Sequence, residues 1–197
     1  MLGLVLLSIP LGFMIALPLT AMLVKVGRRM GTTDSLGSVG HEKVLRDVPN
    51  IGGIAIAAGV LVPLAGCLLI LALIGPIQLA EYVPSVSDFL DRLQSQQGPW
   101  WSIVIGALIL HLMGLRDDRV PLSPWPKLCI QVAVASAVVF FGGLRLLTAL
   151  DQFGQAGIAF SAVLTVIWIV VLTNAINFLD NMDGLAAGVA GIAATVF

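Results

Sequence analysis

The sequence predicts an all-α protein, a polytopic transmembrane helix bundle with about five full spans plus the start of a sixth, its N-terminus outside. Three observations point there. Hydrophobic residues make up 58% of the 197 and charged residues only 11%, with a mean hydropathy of +1.04, whereas a soluble domain is roughly 45–50% apolar. The apolar residues fall in runs long enough to cross a ~30 Å hydrocarbon core, which takes about 20 helical residues. The basic residues gather between alternate runs. A water-soluble core of this length could not hide so much apolar surface. The formal net charge of -1 says little about partners, because the distribution of charge matters more than its sum. No nucleic-acid partner is expected.

The first run covers about 2–24. It lacks the basic leader of a secretory signal, and its positive residues, Lys25, Arg28 and Arg29, follow the apolar stretch. It therefore reads as a retained span. The second run covers about 51–75. The third, about 100–115, is short, and Trp100-Trp101 and Arg116 at its ends suit interfacial anchors. The fourth covers about 128–147 and the fifth about 158–179. A sixth starts near Gly184 and has 14 residues to Phe197, too few to span. The expectation is a single membrane domain, 1–197, forming the N-terminal part of a longer protein. Between the second and third runs, Val86, Phe89, Leu90 and Leu93 follow the i, i+3, i+4, i+7 pattern of an amphipathic helix, expected to lie along the outer membrane surface. Cys67 and Cys129 sit inside apolar runs with no ligand-like spacing. They read as small buried hydrophobes rather than a disulfide or zinc site.

Sidedness follows from the basic residues. Lys25, Arg28, Arg29, Lys43 and Arg46 follow the first span and Arg116, Arg119 and Lys127 the third, against Arg92 and Arg145 on the other side. Eight against two puts the N-terminus outside and the segments near 25–50, 116–127 and 180–184 in the cytoplasm. All the polar clusters then face the cytosol.

The most informative of these clusters is Asn174 to Gly184, Asn-Ala-Ile-Asn-Phe-Leu-Asp-Asn-Met-Asp-Gly, which ends the fifth apolar run. Ionisable groups beside hydrocarbon are costly and mark substrate or ion paths. Asn177, Asp180 and Asp183 are spaced by three and share a face if local helix persists. Carboxamides beside carboxylates suit a sugar or nucleobase, which presents both donors and acceptors. Helix capping explains one or two such residues, hardly five. Asp117-Asp118 ends the third run. On a helix the two side chains would diverge by about 100°, which suits different tasks, such as one near a metal and one near a proton to be removed. Two close carboxylates resist joint ionisation unless a cation compensates, and Mg²⁺ favours oxygen donors together with substrate phosphates. The alternative is a solvated acidic turn balanced by Arg116 and Arg119. In the first cytoplasmic loop, His41, Lys43 and Arg46 precede Pro49-Asn50-Ile51-Gly52-Gly53. The basic side chains can grip phosphate or serve only topology, and His41 can be a solvated loop histidine. Lys127 and Gln131 share one helical face, with Lys127 either a ligand or a snorkelling interfacial residue.

In order, these segments resemble the polyprenyl-phosphate N-acetylhexosamine-1-phosphate transferases. The matching residues are His41 with Pro49-x-x-Gly52-Gly53, then Gly114-x-x-Asp117-Asp118 with Lys127-x-x-x-Gln131, then Asn174-Ala-x-Asn177-x-x-Asp180-x-x-Asp183-Gly-Leu-Ala186. Asn181 stands where that family commonly has glycine. The resemblance implies a bacterial inner-membrane, multi-pass enzyme with a cytoplasmic active face. It would transfer an N-acetylhexosamine 1-phosphate from a UDP-sugar to undecaprenyl phosphate, release UMP and so begin a lipid-linked cell-envelope glycan. It further implies Mg²⁺, with Mn²⁺ as the alternative, held by Asp117, Asp118, Asp180 and Asp183, and catalysis by Asp117 or Asp118. Substrate contacts fall to His41, Lys43, Arg46, Lys127, Asn174, Asn177 and Asp180, and a homodimer fits the family. The absence of a Thr-Pro-Thr-Met-Gly-Gly run, here Val48 to Gly53, favours a simple N-acetylhexosamine over a muramoyl-pentapeptide. The resemblance covers about half of the family's ten-span fold or somewhat more, and downstream metal and histidine motifs are not among these residues. The competing readings are a non-catalytic fragment or membrane subunit and, from another class, a cation transporter using the same acids as a relay.

Overall fold

A computed structural model describes residues 2–30, 52–76, 87–180 and 185–196. His41, Lys43, Arg46 and Asp183, with the Pro49–Ile51 stretch, lie outside the described residues. Every regular element described is helical: α1 (Leu2–Met30), α2 (Gly52–Ile74), α3 (Ser87–Ser95), α4 (Gln97–Arg119), α5 (Pro124–Gly142), a 3-10 turn (Thr148–Phe153), α6 (Gly154–Leu179) and α7 (Leu185–Val196). Five of them are long and apolar enough to cross a membrane, with α7 a shorter apolar helix. Their large side chains face outward, with Leu73, Phe141 and Phe178 among the most exposed. Water would not tolerate that much contiguous apolar surface. The protein is a multi-pass membrane protein. Two hydroxyls within spans are absorbed by their own helix's backbone: Thr20 donates to the Ala16 carbonyl at 2.7 Å and Thr173 to that of Ile169 at 2.8 Å.

Helix ends follow local chemistry more than hydropathy. Gly75, at φ +86°, closes α2 with its N–H on the Leu71 carbonyl, a left-handed C-terminal cap that glycine adopts without strain. The third span is not short. Gln97–Arg119 has 23 residues, because the helix continues through the charged Arg116–Arg119 turn after the apolar run has ended. It stops at Val120, which is extended (φ -136°, ψ 102°) because the next residue is Pro121. The fourth span begins at Pro124 rather than near 128, proline being suited to a first helical position. It ends at Gly142 rather than near 147, before Gly143 at φ +67°.

The chain divides into two compact units, Met1–Lys127 and Leu128–Phe197. In the first, α1 and α2 approach through Gly12 and Gly59. A Cβ on Gly12 would lie 3.0 Å from the Gly59 carbonyl oxygen, the small-residue contact by which helices meet in lipid. Helix α3 carries Phe89, Leu90 and Leu93 of the predicted amphipathic pattern, Val86 lying outside the described residues, but this apolar face is covered by protein. Leu90 and Leu93 are buried with Leu71 of α2, and Phe89 and Trp100 pack against them. Trp100 is thus part of a core rather than only an interfacial anchor. In the second unit, α6 packs on the 3-10 turn. Gly157 lets it do so, since a Cβ there would fall 1.8 Å from the Leu150 carbonyl oxygen. The same turn is tied by a two-pronged ion pair, Arg145 Nη1 and Nη2 each 2.8 Å from a carboxylate oxygen of Asp151. Leu146 donates its N–H to Thr165 Oγ1 at 2.8 Å, and its carbonyl accepts from Ser161 Oγ. Both cysteines are free, as expected, but exposed on outward faces rather than buried. On a helix packed through so few neighbours, most positions face outward.

Candidate functional site

In the first unit the acidic pair occupies the last turn of α4, flanked by Arg116 and Arg119. A helix C-terminus carries partial negative charge, so carboxylates there are disfavoured by about 0.3–1 kcal/mol each unless a cation compensates. The arginines supply part of that compensation. Asp117 is further engaged. Its Oδ1 accepts the Leu122 N–H at 2.8 Å and its Oδ2 lies 2.5 Å from Lys127 Nζ. Lys127, read from sequence as a possible ligand or snorkelling residue, is therefore an ion-pair partner of the acid motif. Asp118 is exposed. Gly114, one turn earlier, has no described neighbour within 4 Å of where a Cβ would stand. Packing against the described residues gives no reason for a glycine that costs about 1 kcal/mol relative to alanine in a helix interior.

One residue in this unit escaped the sequence reading. His111 lies two turns before Asp118 in the apolar part of α4, and its Cε1 would be 3.7 Å from a Cβ on Gly53. The first motif's paired glycines thus start a helix that abuts the helix of the second. The signal was available, because a lone ionisable residue inside a span is uncommon and functional by default.

In the second unit, Asn174 stands near the end of α6 and meets Gln131 of α5. Asn174 Nδ2 donates to Gln131 Oε1 at 2.7 Å and to the Val170 carbonyl at 2.8 Å, while Gln131 Nε2 reaches Asn174 Oδ1 at 3.4 Å. Both amide hydrogens of Asn174 are used, and Gln131 is buried. The carboxamide expected to meet substrate is engaged in joining two helices. Asn177 and Asp180 follow, both exposed. Asp180 ends α6 with helical backbone angles, its N–H bonded to the Ile176 carbonyl at 3.0 Å. The last turn of α6 supplies no basic residue, so the Asp180 carboxylate meets the negative pole of its own helix without a counter-charge from that turn.

These carboxylates are hard oxygen donors of the kind Mg²⁺ or Mn²⁺ takes, and their helix-end placement favours a cation nearby. Among the described residues, no three His, Cys, Asp or Glu side chains gather as a ligand group. The described donors can contribute to a divalent site but do not complete one.

Residues 100–197 match the family described as glycosyl transferase family 4. A Bacillus subtilis (strain 168) protein named "Probable undecaprenyl-phosphate N-acetylglucosaminyl 1-phosphate transferase" is 37% identical over 97 residues, 46% of this chain and 26% of that protein. The matched stretch is thus about a quarter of that relative's length. No solved structure matches the chain.

Proposed function

From the premise that this chain belongs to the glycosyl transferase family 4, we propose that it serves the transfer of an N-acetylhexosamine 1-phosphate from a UDP-sugar to undecaprenyl phosphate. UMP is the second product, and the lipid-linked sugar begins a cell-envelope glycan. The observation that carries the reading is that the family match over residues 100–197 takes in both acid-bearing helix ends. The name of the Bacillus subtilis relative is of the same reaction type.

The chemistry asks for what these residues offer. An oxygen of the lipid phosphate attacks the phosphorus attached to the sugar. A new phosphorus–oxygen bond forms, the bond to the UMP oxygen breaks, and the electron pair leaves on UMP. The proton of the lipid phosphate passes to a carboxylate of the Asp117-Asp118 pair. Phosphoryl transfer depends chiefly on positioning and on neutralising phosphate charge. Mg²⁺, held by the carboxylates of Asp117 or Asp118, Asp180 and Asp183, would supply that neutralisation. Asn177 and Asp180 would meet the nucleotide sugar, and Lys43 and Arg46 a phosphate. The distribution of basic residues supports a cytoplasmic position for these segments at a bacterial inner membrane, where a lipid phosphate and a soluble nucleotide can meet. A homodimer fits this reading.

The test is UMP release by the full-length protein from UDP-N-acetylhexosamines and undecaprenyl phosphate. Asp180→Asn is expected to abolish it, and wild-type turnover by that variant would sink the assignment.

A further inference from the structure

We infer that the segment joining α5 to α6, residues 143–153, is a turn embedded in the membrane rather than a loop standing in water. Its exposed apolar side chains meet phospholipid acyl chains of the leaflet opposite the Asn174–Asp180 end of α6. This placement is independent of the transferase reading and of which face is cytoplasmic.

The Leu146 N–H and carbonyl are held by the hydroxyls of Thr165 and Ser161. These two residues stand about three and two turns into α6, or about 16 and 10 Å from its first residue, Gly154. Counted from the Gln131–Asn174 contact, α5 ends level with Val163, so both helices put the start of the connection at the same height. Helix α6 has 26 residues, about 39 Å, and exceeds a ~30 Å hydrocarbon core by about 9 Å. Asn174, Asn177 and Asp180 draw that excess toward water at their own end. Even with all of it at the Gly154 end, Leu146 would still lie inside the core.

The chemistry of the segment suits hydrocarbon. A loop in water can leave its backbone to the solvent, whereas Leu146 is served by two hydroxyls that are themselves buried, Ser161 at 0% and Thr165 at 4% exposure. Leu147 is left-handed, at φ +53°. A turn in water fills such a position with glycine or asparagine, yet here it holds a leucine whose side chain is exposed. The segment carries Leu144, Leu146, Leu147, Leu150 and Phe153, and no Pro, Asn or Ser. Apolar character runs on unbroken from α6 to Thr148. The two charges are joined to each other, Arg145 to both carboxylate oxygens of Asp151, as ionisable groups at membrane depth are.

The experiment uses the full-length protein with Cys67→Ala and Cys129→Ala, in nanodiscs of phosphatidylethanolamine and phosphatidylglycerol. A nitroxide is attached at Leu147→Cys and, in a second protein, at Leu146→Cys, so that a label that spoils one position does not decide the matter. Phe141→Cys, on the outward face of α5, is the lipid reference, and Asp91→Cys, at an exposed position of α3, is the water reference. Power-saturation electron paramagnetic resonance reads collision with oxygen, which dissolves among acyl chains, and with a polar nickel chelate, which stays in water. The labels at 146 and 147 are expected to match Phe141→Cys. They should meet nickel at least about 10-fold less than Asp91→Cys does, since a polar solute enters hydrocarbon at a cost, while oxygen reaches them freely. Nickel collision equal to that at Asp91→Cys would put the turn in water and overturn the inference. Shielding from both reagents would reveal a protein cover, a second copy or another segment of the full-length chain, and would overturn it as well.

Discussion

Removing Gln131 and Asn174 singly and together measures how firmly α6 is fastened to α5. Their exchange consists of one well-formed bond, 2.7 Å from Asn174 Nδ2 to Gln131 Oε1, and a return contact at 3.4 Å. The return contact lies beyond the roughly 2.7–3.2 Å band of effective N–H···O bonds, so one bond carries the pair. Interhelical hydrogen bonds in membranes average about 0.6 kcal/mol and reach about 1.7. The coupling between Gln131→Ala and Asn174→Ala is therefore expected at about 0.6–1.7 kcal/mol, or about 3- to 18-fold in the unfolding constant. The sign is favourable, because each single variant leaves the other carboxamide without its partner while the double variant does not. Unfolding by SDS in mixed micelles, followed by circular dichroism for all four proteins, gives the cycle. A coupling indistinguishable from zero would refute the clamp. So would an Asn174→Ala protein of unchanged stability whose KM for the UDP-sugar alone has risen, because the carboxamide would then be serving substrate.

Three further outcomes are expected. Gly59→Val should destabilise the protein by about 1–3 kcal/mol in the same unfolding assay, because a Cβ there lies 3.1 Å from both the Gly12 carbonyl oxygen and Ala16 Cβ. Gly66→Val, with no described neighbour within 4 Å, is the control and should be near neutral. Gly157→Ala should cost about 3 kcal/mol or more, since its Cβ would meet backbone of the 3-10 turn at 1.8 Å, and a wild-type midpoint would disprove that contact. Under the proposed function, chelation of divalent cations should abolish UMP release by the full-length protein and added Mg²⁺ should restore it; turnover undiminished by chelation would remove the metal from the reading.

Hydropathy made the spans legible and misplaced their ends. Arg116–Arg119 lowers hydropathy without breaking a helix, so α4 outlasts its apolar run, whereas Pro121 and Gly143 act through backbone geometry and set the stops that hydropathy does not see. The 86–93 pattern disclosed an amphipathic helix but not what covers it, because an apolar face reads the same whether it meets lipid or Leu71. Asp117, Asp118, Lys127, Gln131, Asn174 and Asp180 could be picked out as motif residues from their types and spacing. Their partners could not. Gln131 and Asn174 stand 43 residues apart, and nothing in either segment alone says that two carboxamides will meet. Lys127 was legible as a cation near an interface, but its choice of Asp117 over Asp118 depends on the path of a three-proline turn. His111 was overlooked because a single histidine in an apolar run forms no pattern with its neighbours.

The turn between α5 and α6 bears on how the chain enters its membrane. Under the proposed sidedness, with the basic segments cytoplasmic, this turn would be carried across the bilayer during synthesis, and Arg145 would oppose that passage. Asp151, six residues on and joined to Arg145 through both carboxylate oxygens, cancels the charge being moved. A neutral turn is neither helped nor hindered by the membrane potential. Leu146, with its amide and carbonyl already bonded to Thr165 and Ser161, brings no bare backbone into the hydrocarbon. The hairpin of α5 and α6 can thus insert as one prefabricated piece, its polar needs met by its own side chains before it reaches the far side.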